Sequence, residues 1–162
     1  MTQAYLAPKE TQIGHVHLKV ANIERALAFY RDILGFEEMA RTPQAVFLGA
    51  GGYHHHIGLN TWHSAGAPPA PVRSAGLYHC AILYPTKRDL AVAYERVLDA
   101  GLNLDGAADH GVSLALYLRD PDDNGVELYW DRPTEDWPID SQGALHMVNE
   151  PFDLNALLAE AD

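Results

Sequence analysis

The sequence predicts an α+β fold in which two tandem βαβββ modules form a curved, eight-stranded mixed sheet. Three observations predict it. A strand-then-helix pattern occurs twice with the same internal spacing, short strand candidates separated by turn signals follow each helix, and a histidine occupies the matching point of each first strand.

The first strand candidate is residues 13–20, IGHVHLKV, a β-branched stretch with period-two alternation. Asn22 then caps a helix that carries Ile23, Leu27, Tyr30 and Leu34 on one stripe. Gly35 ends it, because left-handed backbone costs glycine least. Strands are expected next at 36–41, 45–50 and 53–61. The pattern restarts at residues 77–84, LYHCAILY, where Thr86 caps a second helix with Asp89 three residues on, a capping box. Leu90, Ala93, Val97 and Leu98 make its stripe and Gly101 its end, with strands expected at 102–105, 113–120 and 126–130.

The register of the two copies agrees without gaps. His15 precedes Asn22 by seven residues and His79 precedes Thr86 by seven, while Tyr30 and Tyr94 each lie fifteen beyond their histidine. Gly51-Gly52 and Asn124-Gly125 both read as hairpin turns that tolerate positive φ. Residues 64–75, with Pro68, Pro69 and Pro71 among small side chains, read as an extended linker between modules 12–63 and 76–133. A single domain over 12–133 is therefore expected. An extension, 134–162, follows it, patterned only at a short terminal helix, 153–161.

Bulk properties narrow the function classes. The formal net charge is −11, from 22 acidic and 11 basic residues, with no Lys/Arg cluster to meet a phosphate backbone, so nucleic acid is not an expected partner. One cysteine, Cys80, allows no internal disulfide and no thiolate cluster. No apolar run reaches the roughly 18 residues of a membrane span. Met1 to Thr11 has no signal-peptide pattern, and a soluble, cytoplasmic protein is expected. Nine histidines stand out, three of them the internal run His54, His55 and His56.

Duplication puts His15 and His79 at equivalent points, so a twofold relation between modules would bring them together. A divalent metal needs neutral imidazoles and ionised carboxylates converging from rigid elements, and Glu127 in the otherwise apolar VELYW supplies the carboxylate. A blander reading puts Glu127 on a solvent-facing edge and the histidines half-buried in sheets. His17 shares a face with His15, and only the register with His79 favours His15 as the ligand. Cys80 points away from His79 and reads as a small core residue. Asp122, Asp123 and Asn124 read as hairpin residues, since no glycine and distal glutamate follow at calcium-loop spacing.

Four stretches, GHVHLKV with ALAFYRDILGF, GGYHHHIGLNTW, GLYHCAIL, and HGVSLALYLRDPDDNGVELYWDRP, resemble the vicinal oxygen chelate superfamily. That group includes glyoxalase I, bleomycin resistance proteins and type I extradiol dioxygenases, and the likeness is greatest to the catechol 2,3-dioxygenase branch. The resemblance implies one divalent metal, Fe(II) foremost with Mn(II), Zn(II) or Ni(II) as alternatives, held by His15, His79 and Glu127 inside the curved sheet. It further implies His55 as acid/base, Tyr117 and His110 as hydrogen-bonding partners of a small aromatic substrate, O2 as co-substrate, and a homodimer. His54 and His56 share a face that His55 does not, unless a bulge after Gly51-Gly52 shifts the register. His110 also reads as part of a plain Asp109-His110-Gly111 turn.

Two rival functions belong to the same superfamily. A glyoxalase-like lyase needs a carboxylate in each half, yet residues 46–63 contain no Asp or Glu. A metal-free drug-binding protein has no need of all three ligand positions. The site can lie within one subunit or between two, and the sequence leaves both open.

Overall fold

The computed structural model describes residues 4–161. Its eight strands form two four-stranded mixed sheets of identical topology. In the first sheet β1 (Val16–Lys19) lies parallel to β4 (Ile57–Asn60), followed by antiparallel β3 (Ala45–Gly49) and β2 (Glu37–Thr42). In the second, β5 (Cys80–Leu83) lies parallel to β8 (Gly125–Asp131), followed by β7 (Ser113–Arg119) and β6 (Gly106–Asp109). The α+β class and the repeated unit are as expected. The eight strands are divided between two sheets, and among the described residues β1 and β5 each hydrogen-bond on one side only.

Each sheet is backed by its helix, and the caps are the expected ones. Asn22 accepts from the Arg25 N–H at 3.0 Å ahead of α1 (Ile23–Leu27), and Thr86 accepts from the Asp89 N–H at 3.1 Å ahead of α2 (Lys87–Asp99). After one α-helical stretch the first helix widens to π geometry over Ala28–Ile33, which turns both Phe29 and Tyr30 inward. Gly35 and Gly101 end the helices at φ +84° and +70°. Leu98 does not join its stripe: it is 42% exposed.

β1, β4, β5 and β6 begin three or four residues later than expected, so His15 and His79 lie just before their strands. The second strand of the second half is Gly106–Asp109 rather than 102–105, because pairing with Leu114–Tyr117 selects four weak β-formers. Leu102 and Leu104 pack against the core instead. The strand expected at 53–61 begins only at Ile57, so the histidine run lies in the connecting loop and strand alternation does not govern it. At the second hairpin the positive φ falls on Asp123 (66°), not on Asn124-Gly125, whereas Gly51 and Gly52 are left-handed as expected. The terminal helix α3 is the shorter Leu154–Leu158, capped by Asp153.

The halves share one core, which includes Leu27, Tyr30, Leu48, Leu59, Leu90 and Leu128. Polar clamps join them. The Tyr30 hydroxyl donates to buried Asp120 at 2.9 Å, and Arg25 pairs with buried Asp122. Arg96 of α2 donates to the Asp32 and Ile33 carbonyls, both at 2.6 Å, satisfying carbonyls that the end of the first helix leaves without intrahelical partners. Asp122 thus does more than shape a hairpin. Among the described residues no helix is long and apolar enough to cross a membrane.

Candidate active site

Strand alternation gives each sheet a buried face and an open one. In the second sheet Leu116, Leu118, Val126 and Leu128 point into the core, while Tyr117, Glu127 and Tyr129 are half-buried. Tyr117 and Glu127 are direct cross-strand partners, and Ala81 stands beside Glu127 on β5. His79 lies one residue before β5 and two before Ala81, which aims its ring at the same carboxylate. Gly125 makes that approach feasible: a Cβ there would collide with the Tyr78 carbonyl and come within 3.1 Å of the His79 Cβ.

The result is a chain of polar contacts. His79 Nε2 lies 2.9 Å from Glu127 Oε2, with the Glu127 side chain only 12% exposed. The Tyr117 hydroxyl lies 3.3 Å from Glu127 Oε1 and 2.6 Å from His110 Nε2, and His110 Nδ1 lies 3.0 Å from the Val148 carbonyl. His110 is half-buried and engaged through both ring nitrogens, not a solvent-facing turn residue. Burial, then the Glu127 charge and hydrogen bond, push the Tyr117 phenol up to about 12, so it keeps its proton at neutral pH.

The first sheet carries a different set. His15 precedes β1 and is exposed, its ring 4.5 Å from that of half-buried His55. His55 also packs edge-on to Phe47 at 5.1 Å, and its Nδ1 lies 2.7 Å from that of His54. Burial, followed by the neighbouring His15, lowers the His55 pKa, leaving a neutral imidazole able to accept a proton. His56 accepts instead from the Ala50 N–H at 3.3 Å and stacks near Tyr53.

Strand register equates Phe47, Gly58 and His17 with Tyr117, Glu127 and Ala81. The carboxylate position of the first half is therefore a glycine, and the His17 ring fills the space: a Cβ on Gly58 would lie 2.9 Å from it. Phe47 and Trp62 flank that ring at 5.8 and 5.3 Å, a packing role for His17. Sequence reasoning missed both glycines. For Gly58 the signal was there, a glycine inside the strand expected at 53–61, which marks a bulge or a close approach, whereas Gly125 precedes the strand expected at 126–130 and read as a turn.

The structure thus brings His79, Glu127, Tyr117 and His110 together, and separately brings His15 to His55. Among the described residues no three His, Cys, Asp or Glu side chains converge as a metal site. His79 and Glu127 fit two positions of one. Two neighbouring ligands about 2.1 Å from a shared ion stand roughly 3 Å apart, and an imidazole nitrogen with a carboxylate oxygen is a donor set for a divalent transition metal. His15 and His79 both line a cavity of about 820 Å³ beside β1 and β5, with Ile13, Phe36, Tyr84 and Tyr129 among its walls.

Comparison with known proteins agrees with this architecture. The family model described as Glyoxalase/Bleomycin resistance protein/Dioxygenase superfamily matches residues 12–128. The chain is 39% identical over 154 residues to a catechol-2,3-dioxygenase of Bacillus subtilis (strain 168), covering 94% of this chain and 53% of that protein. It is 32% identical over 120 residues to biphenyl-2,3-diol 1,2-dioxygenase 3 of Rhodococcus globerulus, covering 74% and 63%. The chain therefore spans between about half and two thirds of these relatives. A glyoxalase/dioxygenase of Nostoc punctiforme shares the fold at TM-score 0.64 and 18% identity, with 82% of this chain and all of that one covered.

Proposed function

The chain belongs to the Glyoxalase/Bleomycin resistance protein/Dioxygenase superfamily, and we propose that it acts as an Fe(II)-dependent extradiol dioxygenase on a catechol-type aromatic. The observation that carries this is the contact chain His79–Glu127–Tyr117–His110 on an open sheet face. An imidazole and a carboxylate meet there beside a phenol that stays protonated and a histidine bonded to it.

In this reading His15, His79 and Glu127 hold the metal, which when bound supplies adjacent coordination sites and the redox step joining catechol to O2. Glu127 offsets part of the cation's charge from a largely desolvated position. Tyr117 hydrogen-bonds a ring oxygen and fixes the plane of the substrate, and His110, bonded to the Tyr117 hydroxyl, acts on the substrate through it. His55, neutral and next to His15, takes a hydroxyl proton from the catechol and returns it later. The absence of a carboxylate opposite Glu127, where Gly58 stands under His17, disfavours a four-ligand glyoxalase centre.

The proposal includes a second copy of the chain. His15 and Glu127 stand in separate clusters on the open faces of two sheets, and among the described residues the first strand of each sheet pairs on one side only. Ile13, Leu77, Tyr78 and Leu83, near those edges, are 52–96% exposed. A twofold partner would cover this surface and set the His15 cluster of one protomer against the Glu127 cluster of the other. A cytoplasmic setting belongs to the same reading.

The test is anaerobic purification, loading with Fe(II), and O2 uptake over a panel of catechols. Uptake with a ring-cleaved product is expected. No uptake, together with Zn(II)- or Ni(II)-dependent hemithioacetal isomerisation, overturns the assignment.

A further inference from the structure

Residues 134–161 lie beyond the family match, yet they return to the second sheet and grip one turn of it. Asp109 and Glu150 exchange backbone hydrogen bonds of 2.8 and 3.0 Å. The Val148 N–H donates to the His110 carbonyl at 3.1 Å, and the Val148 carbonyl faces His110 Nδ1 at 3.0 Å. Pro138 and Val148 close over Gly111 so tightly that a Cβ there would lie 2.8 Å from Pro138 Cγ. From the other side Arg132 pairs with Asp109 at 2.6 Å, while its own carbonyl accepts from the Trp137 indole at 2.9 Å.

A carbonyl oxygen can only accept, so the Val148 contact requires a proton on His110 Nδ1. Neutral His110 then presents a bare Nε2, and the Tyr117 hydroxyl 2.6 Å away must donate to it. The phenol has one proton. His110 Nε2 is the nearer acceptor at 2.6 Å and Glu127 Oε1 the farther one at 3.3 Å, so the proton is shared unequally between them.

We propose that the C-terminal segment is a working part of the site: the peptide groups of Val148 hold His110 as its Nδ1–H tautomer, with Nε2 turned to accept from Tyr117. Val148 is a positioning residue that acts through His110 and Tyr117. Its effect on turnover rests on the dioxygenase reading above; the tautomer does not.

The tautomer is read directly by ¹⁵N NMR of the imidazoles in the full chain, metal-free and loaded with diamagnetic Zn(II). The Nδ1–H form is expected for His110. Val148→Pro removes the N–H that binds the His110 carbonyl and displaces the segment, so a mixture of tautomers is expected. With Fe(II) and a catechol substrate, kcat should fall about tenfold in V148P with KM within about twofold. Val148→Ala keeps both backbone bonds and should retain the Nδ1–H form. An Nε2–H His110 in the native chain, or a V148P chain with an unchanged tautomer, overturns the proposal. An Nδ1–H His110 in a chain that takes up no O2 supports the proposal while the dioxygenase reading fails.

Discussion

The two halves of the molecule share one topology and part at three matched positions on their open faces. Where the second half carries Tyr117, Glu127 and Ala81, the first carries Phe47, Gly58 and His17. In one, a carboxylate finds a phenol and an imidazole. In the other, an imidazole lies flat over a glycine between two aromatic rings. A duplicated scaffold supplies equivalent places, and having Glu127 in one half and Gly58 in the other decides which open face carries a carboxylate.

The largest test of that asymmetry removes one anchor from each half. Glu127→Ala and His15→Ala should each abolish O2 uptake, losses of at least about 10³-fold, with metal content falling in parallel. Mixed after joint unfolding and refolding, the two dead variants should recover about a quarter of the native sites, because half the dimers are mixed and each holds one intact pair. No recovery would mean that each site is built within one chain.

The matched glycines should differ next. Gly125→Ala drives a methyl into the Tyr78 carbonyl and the His79 backbone, so metal affinity should drop roughly 10–100-fold and stability by about 1–3 kcal/mol. In Gly58→Ala the nearest atoms met all belong to the exposed His17 ring, which can turn aside, and the change should cost about 1 kcal/mol or less. Equal effects at both positions would remove the distinction drawn between them. Isothermal titration with Zn(II) and thermal melts read both.

Smaller still is the difference between the matched tyrosines. Tyr30→Phe takes a donor from the buried Asp120 carboxylate and should cost about 1–3 kcal/mol. Tyr94→Phe, at the equivalent position of the other helix, should cost under about 0.5 kcal/mol by chemical denaturation. Last, burial raises the Cys80 pKa, which lowers its thiolate fraction at neutral pH. Iodoacetamide should alkylate it several-fold more slowly than free cysteine by mass spectrometry.

Much of the architecture was legible in particular residues. Asn22, Thr86, Gly35 and Gly101 bound the two helices because capping and left-handed backbone are local chemistry, settled within a few residues. His79 and Glu127 were legible as partners because β5 and β8 repeat the strand order of the first half. The loop at 53–56 was not legible, since three histidines in sequence carry no period and only the pairing limit of β3 decides where β4 begins. Nor was β6, where Gly106–Asp109 has little strand preference of its own and takes its conformation from β7.

By itself, then, the sequence determined the repeated βαβββ unit, its helix ends and the residue types able to bind a metal, all of which depend on short-range periodicity and side-chain chemistry. Only the tertiary structure decided that His17 fills the place of a second carboxylate. It alone decided that Asp120 and Asp122 tie the halves together, and that residues far along the chain close on His110. Those outcomes rest on contacts between segments up to about a hundred residues apart, for example Arg25 with Asp122. No local pattern encodes a contact whose partner is chosen by packing.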